Sequence, residues 1–222
     1  MSAIHPNPTT EPLVASSSSA IKLHFPNPSG CPEHEGLIAV ITLNAPVELN
    51  SMRLRDTQEL MDTLQWVAAQ PRVVATVLTG AGRFFSAGAN FKDTARDLPE
   101  AAQRLPEGSA ERILESKLLT LRNAGSTNIV LLEALHHHPK LLVGAMNGPA
   151  VGIYATMLAH CDLLYTYDDF FLQVPFMSLG LVSEGGAAIS FAKTMGIGRA
   201  KQALLGGKKM TALELQQVGF IT

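Results

Sequence analysis

Leu37 to Leu43 (LIAVITL) is a run of apolar and β-branched residues. Pro28, Gly30, Pro32 and Gly36 precede it, and Asn44 and Pro46 follow. Such a run between breakers predicts a buried strand. Asn50 and Ser51 then stand where a helix cap is expected. Beyond them Leu60, Met61, Leu64, Val67 and Ala68 recur at helical spacing, with Arg53, Asp56 and Glu59 on other faces. Pro71 stops the helix. Val73 to Thr79 (VVATVLT) predicts a second buried strand. Strand, helix and strand with this patterning form a right-handed βαβ unit in a parallel sheet.

The alternation continues to the end of the chain. Gly80-Ala81-Gly82-Arg83 is a turn, and Phe84 to Asn90 (FFSAGAN) follows with small residues at its centre. Residues 93–126 are polar and partly helical, broken by Pro99, Pro106 and Gly108. Ile129 to His137 predicts a helix ending before Pro139. Leu141 to Met146 (LLVGAM) predicts a strand, and Asn147-Gly148-Pro149 a turn. Gly152 to Cys161 predicts an apolar helix. A strand over Asp162 to Thr166, a turn at Asp168-Asp169 and an edge-like segment over Phe170 to Pro175 come next. Ser183-Glu184-Gly185-Gly186 opens another helix that runs to about Met195. Strands alternating with helices give an α/β class. The sequence shows no internal repeat.

Composition narrows the function. Of 222 residues, 46% are hydrophobic and 16% charged, so the chain has apolar surface enough for a core without disulfide or metal staples. Residues 1–30, with Pro6, Pro8, Pro12 and the Ser16 to Ser19 run, read as a flexible leader, and residues 31–222 as one domain. The net charge of −2 leaves no basic footprint for nucleic acid. No apolar run is long enough to span a bilayer, and no secretory signal is evident. Cys31 and Cys161 make no disulfide framework, which favours a reducing compartment.

Two segments can carry chemistry. FFSAGAN lets a ligand approach the backbone and leaves an N–H pointing outward. NGPAVGI (Asn147 to Ile153) offers unpaired N–H groups at a helix N-terminus. Alone, each is an ordinary tight turn. Together they are more specific. The order FFSAGANFKD, HHPKLLVGAMNGPAVGI, an apolar helix closing on Cys161-Asp162, then FFLQVPFMSLGLVSEGG resembles the crotonase superfamily, also called the enoyl-CoA hydratase/isomerase family. The resemblance runs from about Leu37 to the C-terminus and includes APVELNSM as the entry from strand to helix.

That resemblance implies a spiral of ββα units and an oxyanion hole for the thioester oxygen of an acyl-CoA. Its two backbone N–H donors map to Ala87 and Ile153, and Gly88 and Gly152 are the neighbours that permit the geometry. Ser86, Ala89, Asn90 and Phe176 complete the implied substrate-binding set. Asn90 stands where the family has aspartate, and Lys92, just past the loop, reads equally as a contact for a CoA phosphate or as surface charge. Two fixed donors hold the charge that develops on the oxygen, each worth about 3 kcal/mol.

Departures from the family select the reaction. Hydratases of the family use two glutamates, and here Thr156 and Phe176 occupy those positions. Neither side chain is a base near neutral pH. Glu184 remains, in an LVSEGG segment similar to that of peroxisomal 3-enoyl-CoA to 2-enoyl-CoA isomerases, especially fungal ones. There a single glutamate shuttles the proton. Without that context Glu184 reads as a carboxylate complementing a helix dipole. An apolar setting of Phe176, Leu179, Leu181 and Val182 is expected to strengthen it as a base.

The implied function is acyl-CoA double-bond isomerisation with no metal or redox cofactor, coenzyme A being part of the substrate. A homotrimer or dimer of trimers in the peroxisome, or otherwise in the cytoplasm, is expected by resemblance, and charge and run length point to no membrane or nucleic-acid partner. Family members continue past the equivalent of Phe220, so the C-terminal helical part is read as shortened, and the last residues are not an SKL-type signal. Two alternatives stay open: a hydratase-like enzyme of fungal secondary metabolism, and a non-catalytic acyl-CoA binder. The remaining candidates have plainer readings. His136-His137-His138 is a solvated helix end, Asp168-Asp169 a turn, and Cys161 a buried thiol.

Overall fold

The computed structural model describes residues 19–26, 36–90 and 100–222. The first part of the leader, Cys31 and Lys92 lie outside the described residues.

The larger sheet begins inside the expected leader. Ile21–His24 (β1) is a strand, paired antiparallel to Leu37–Leu43 (β2) with Ile21 opposite Leu43. The leader reading therefore fails at these residues. Ile21 is buried and the burial of β1 alternates, so the strand covers the outer edge of β2. Beyond β2 the sheet is parallel: Val73–Gly80 (β3), Leu141–Met146 (β4) and Leu163–Thr166 (β6) follow in space in that order. Ala150–Val151 (β5), Phe171–Gln173 (β7) and Met210–Thr211 (β8) make a second, smaller sheet. There β7 is the central strand, flanked by β5 and β8, and not the edge expected from its shortness. Its partners are far away in sequence and leave no local signal.

The helices connect the two sheets. Leu54–Ala69 (α1) joins β2 to β3 and buries Leu60, Met61, Leu64 and Val67 at the predicted spacing. These residues share one core with Ile41, Leu78 and Leu142 of the large sheet. Glu100–Gln103 (α2), Ala110–Gly125 (α3) and Leu131–His136 (α4) lie between β3 and β4, and a π-helical turn, Ser126–Val130, links α3 to α4. Ile153–Met157 (α5) follows β5 and tightens into a 3₁₀ turn over Leu158–His160. Ala187–Leu204 (α6), broken at Gly196, follows β7, and Ala212–Gln217 (α7) follows β8. The sequence β4, β5, α5 then β6, β7, α6 repeats one motif: a strand in the large sheet, a strand in the small sheet, a helix. The repetition is structural, since the segments share no sequence pattern. Among the described residues no helix is long and apolar enough to cross a membrane.

Asn50 and Ser51 do not cap α1. The helix starts at Leu54, and the Arg53 N–H donates to Asp56 Oδ2 at 2.9 Å. Asn50 turns inward instead, at φ 53°, and is fully buried. Its Oδ1 accepts the Ala45 N–H at 2.8 Å, and its Nδ2 donates to the carbonyls of Ala81 and Phe84 at 2.9 and 2.7 Å. One side chain thus ties the end of β2 to the turn after β3. The capping residue expected from local rules is a long-range brace.

The histidine run is also not uniformly solvated. His136 and His137 are exposed, but His138 is half-buried and its Nε2 lies 2.7 Å from Thr76 Oγ1 on β3. Burial holds the His138 imidazole below its usual pKa. Residues 168–169 form the expected turn, and burial pushes the Cys161 thiol up to about 12.

Candidate active site

Three segments meet at the N-terminus of α5. The first is the FFSAGAN loop. The carbonyl of Phe84 is held by Asn50 and by Asn147 Nδ2 (3.0 Å), while Asn147 Oδ1 accepts the Gly80 N–H at 2.9 Å. Ser86 and Ala150 form an isolated parallel bridge, as do Met52 and Ala89. The two bridges fix which way each peptide of the loop points. Ser86 N–H donates to the Pro149 carbonyl at 3.3 Å. Met52 N–H donates to the Gly88 carbonyl at 3.0 Å, and Asn90 N–H to the Met52 carbonyl at 2.9 Å. In a parallel bridge the neighbours of Ala89 make the bonds, so the N–H of Ala89 faces the other way.

This assignment corrects the expected donor. The Ala87 N–H is already committed to the Leu49 carbonyl at 2.9 Å. It cannot also serve an oxyanion. Leu49 sits at φ 55°, a conformation uncommon for leucine, and this turns its carbonyl onto Ala87. Among the described residues no acceptor meets the Ala89 N–H. Ser86 is also a brace and not a ligand contact. It is fully buried, its Oγ donates to the Asn50 carbonyl at 2.6 Å, and it accepts the Gly88 N–H at 3.1 Å.

The second segment is the turn into α5. Gly152 is its N-cap, at φ 65° and ψ −141°, and its N–H donates to the Gln173 carbonyl at 2.9 Å. A Cβ on an L-residue disfavours that conformation, so glycine is required. The Ile153 N–H is the first of the helix and meets no acceptor among the described residues. The backbones of Gly88 and Gly152 pass so close that a Cβ on Gly152 would lie 3.7 Å from Gly88 Cα. Ala89 and Ile153, each one residue on, therefore present their unclaimed N–H groups from adjoining strands of backbone.

Glu184 supplies the third segment. It precedes α6 and is not in its first turn: Gly185 and Gly186 both adopt φ 66°, and Ala187 begins the helix. Gly185 rests on the first turn of α5. A Cβ on Gly185 would overlap Thr156 Oγ1 and stand 3.0 Å from Ile153 Cδ1. Burial raises the Glu184 carboxyl above the usual range, while a hydrogen bond from Asn128 pulls it partly back. A carboxylate only accepts, so the amide nitrogen of Asn128 is the donor. Its other end, Oδ1, accepts the Gly185 N–H at 2.9 Å. Asn128 lies in the π-helical turn, an irregularity common at functional sites. Sequence reasoning missed it, because a polar residue between two helical stretches gives no signal of its own.

Other expected residues lie elsewhere. Leu179 and Val182 are exposed, so they do not wall off Glu184 as expected. Phe176 is buried in the main core, and its carbonyl caps the Met177–Leu179 3₁₀ turn. Asn90 Nδ2 donates to Glu48 Oε2 at 3.1 Å, on a carboxylate that also pairs with Arg53 at 2.8 Å. Thr156 is fully buried, its hydroxyl donating to the Ile153 carbonyl at 2.7 Å. Among the described residues no three histidine, cysteine or acidic side chains gather as a metal site.

The model of the enoyl-CoA hydratase/isomerase family matches residues 33–222. The chain belongs to this family. A Delta(3,5)-Delta(2,4)-dienoyl-CoA isomerase of Pyricularia oryzae is 37% identical over 192 residues, 85% of this chain and 66% of that protein. A 3,2-trans-enoyl-CoA isomerase of Saccharomyces cerevisiae is 30% identical over 189 residues, 85% of this chain and 65% of the relative. An enoyl-CoA delta isomerase 3 of Mus musculus, named as peroxisomal, is 30% identical over 185 residues, 83% of this chain and 53% of its own. Among solved structures, an enoyl-CoA hydratase/isomerase from Mycobacterium paratuberculosis superposes with a TM-score of 0.71 at 25% identity, covering 91% of this chain and 71% of that one. The chain thus spans just under two thirds of the first two relatives. The α/β fold with two sheets joined by helices is the crotonase fold of this family.

Neither of the two positions read by resemblance as those of hydratase glutamates offers a base here. Thr156 is beneath Gly185 with its hydroxyl spent, and Phe176 is in the core.

Proposed function

We propose that the chain is an acyl-CoA double-bond isomerase that converts a 3-enoyl thioester to its 2-enoyl isomer, with Glu184 as the base. The observation that carries this reading is the placement of Glu184: its carboxyl is raised by burial, and the next residue, Gly185, rests on the turn that presents the Ile153 N–H. Glu184 takes the proton from C2. The electron pair spreads over C2, C4 and the thioester oxygen, where the Ala89 and Ile153 N–H groups hold the charge. Glu184 then returns the proton to C4, and the double bond lies between C2 and C3. A raised carboxyl suits this work, since it is a stronger base before transfer and a usable acid after it. Coenzyme A enters as part of the substrate, and no step calls on a metal or redox cofactor.

A 3,5-dienoyl substrate is the second reading, favoured by the name of the Pyricularia relative. A peroxisomal location belongs to the same proposal, supported by the name of the mouse relative. So does assembly as a trimer or dimer of trimers, which the family resemblance suggests. Product mass tests the reaction class. Incubation with 3-enoyl-CoA is expected to give a product of unchanged mass with a conjugated thioester. A product heavier by one water would overturn isomerisation in favour of hydration.

A further inference from the structure

We propose that His160 is a positioning residue for Glu184, acting through the Gly185 carbonyl; this rests on the isomerase reading above. Glu184 is carried by a turn of two consecutive glycines, both at positive φ. Glycine has the widest choice of conformations, so such a turn does not hold its own shape. Contacts from outside must fix the peptides beside the carboxylate. Asn128 takes the Gly185 N–H. The Gly185 carbonyl is met by His160 Nε2 at 3.2 Å.

A carbonyl only accepts, so Nε2 carries the hydrogen. His160 ends the 3₁₀ turn that extends α5, the helix whose first residue presents the Ile153 N–H. The imidazole is half-buried, and the His136 ring of α4 stands edge-on to it, with centroids 6.2 Å apart and planes at 88°. The ring also floors the second glycine, since a Cβ on Gly186 would lie 3.5 Å from Nε2. One short helical element therefore sets both the donor end of the site and, through His160, the carboxylate end. The histidine touches no reacting atom. It fixes the distance between base and oxyanion donors, and a shift of about 1 Å in such a distance costs on the order of 100-fold in rate.

The test compares the wild-type chain with His160→Leu, His160→Asn and His160→Gln. Leucine fills the space without a donor, asparagine is polar but too short, and glutamine extends an N–H towards the carbonyl. For a 3-enoyl-CoA, kcat is expected to fall roughly 10- to 100-fold in His160→Leu and His160→Asn. KM should stay within about twofold, and His160→Gln should recover most of kcat. Amide hydrogen exchange over residues 183–187, measured without substrate, should quicken in the first two variants and return in the third. Unchanged kcat and exchange in His160→Leu or His160→Asn would overturn the proposal. Equal losses in all three variants would do so too, since packing alone would then explain them. If the wild type converts no 3-enoyl thioester, the isomerase reading fails by itself, and the exchange pattern still decides whether His160 holds the turn.

Discussion

Gly88 and Gly152 meet backbone to backbone, and a side chain on Gly88 would crowd the chain that leads into Gly152. A Cβ on Gly88, at φ 100°, would lie 3.1 Å from the Val151 carbonyl oxygen and 3.7 Å from Gly152 Cα. The approach ties two loops that are distant in sequence into one pair of N–H donors, Ala89 and Ile153.

Gly152→Ala should separate activity from folding. The new Cβ meets φ 65° and ψ −141°, a conformation that costs an L-residue about 1–3 kcal/mol. The fold has enough other support to survive that loss, but the Ile153 N–H will turn. We expect kcat to drop roughly 100-fold or more, as when an oxyanion donor is removed, with a modest fall in Tm. Steady-state kinetics beside thermal unfolding checks both. Wild-type kcat in a folded variant would remove Ile153 from the site.

Asn50→Ala should be among the more destabilising polar substitutions. It strips partners from the Ala45 N–H and weakens the hold on the Ala81 and Phe84 carbonyls. Each buried group left unpaired costs about 1–3 kcal/mol, and Phe84 keeps its second donor from Asn147. A net loss of about 2–4 kcal/mol is expected in denaturant unfolding. Loss of activity should accompany it even where the variant stays folded, because the Asn50 amide also holds the Phe84 carbonyl at the head of the FFSAGAN loop.

Asn128→Ala should move the pH profile upward. Its amide donates to the Glu184 carboxylate and lowers a pKa that burial raises. Without that bond the pKa climbs further. Glu184 must be ionised to take a proton, so kcat/KM falls as pH drops through its pKa. The acid limb of the wild-type profile should therefore lie above the ordinary carboxylate range, and that of Asn128→Ala higher still. A shift to lower pH would contradict the assignment of Glu184 as base.

Stability should carry the same signature with the opposite preference. A carboxyl whose folded pKa is raised favours the fold while protonated, below its unfolded pKa, and that contribution is lost as pH rises through the folded value. Glu184→Gln never ionises. Its stability relative to wild type should therefore improve as pH increases through that window, a trend that chemical denaturation at several pH values will show.

The legible part of this molecule was what short-range pattern encodes. The apolar faces of β2, α1, β3 and β4 follow from spacing alone, because burial and period are local properties. Motif order brought Glu184 and Ile153 forward as candidates. What escaped the sequence depends on contacts across it. The bridge between Met52 and Ala89 decides which N–H of the small-residue loop is unclaimed: that of Ala89, and not that of Ala87. Asn50 looks like a helix cap until its partners on the far side of β3 are seen. Ile21–His24 is a strand only because β2 offers an edge. Asn128 and His160 gain meaning only from Gly185, which each reaches from a different helical segment.

The most direct measurement is the rate at which purified chain converts a 3-enoyl-CoA to the conjugated 2-enoyl thioester, followed by absorbance, with Glu184→Gln beside it. A single-base isomerase predicts turnover by the wild type and a fall of at least about 1,000-fold in a variant that still folds and binds the thioester. Equal rates in the two proteins would contradict the account, since the proton would then have a carrier other than Glu184.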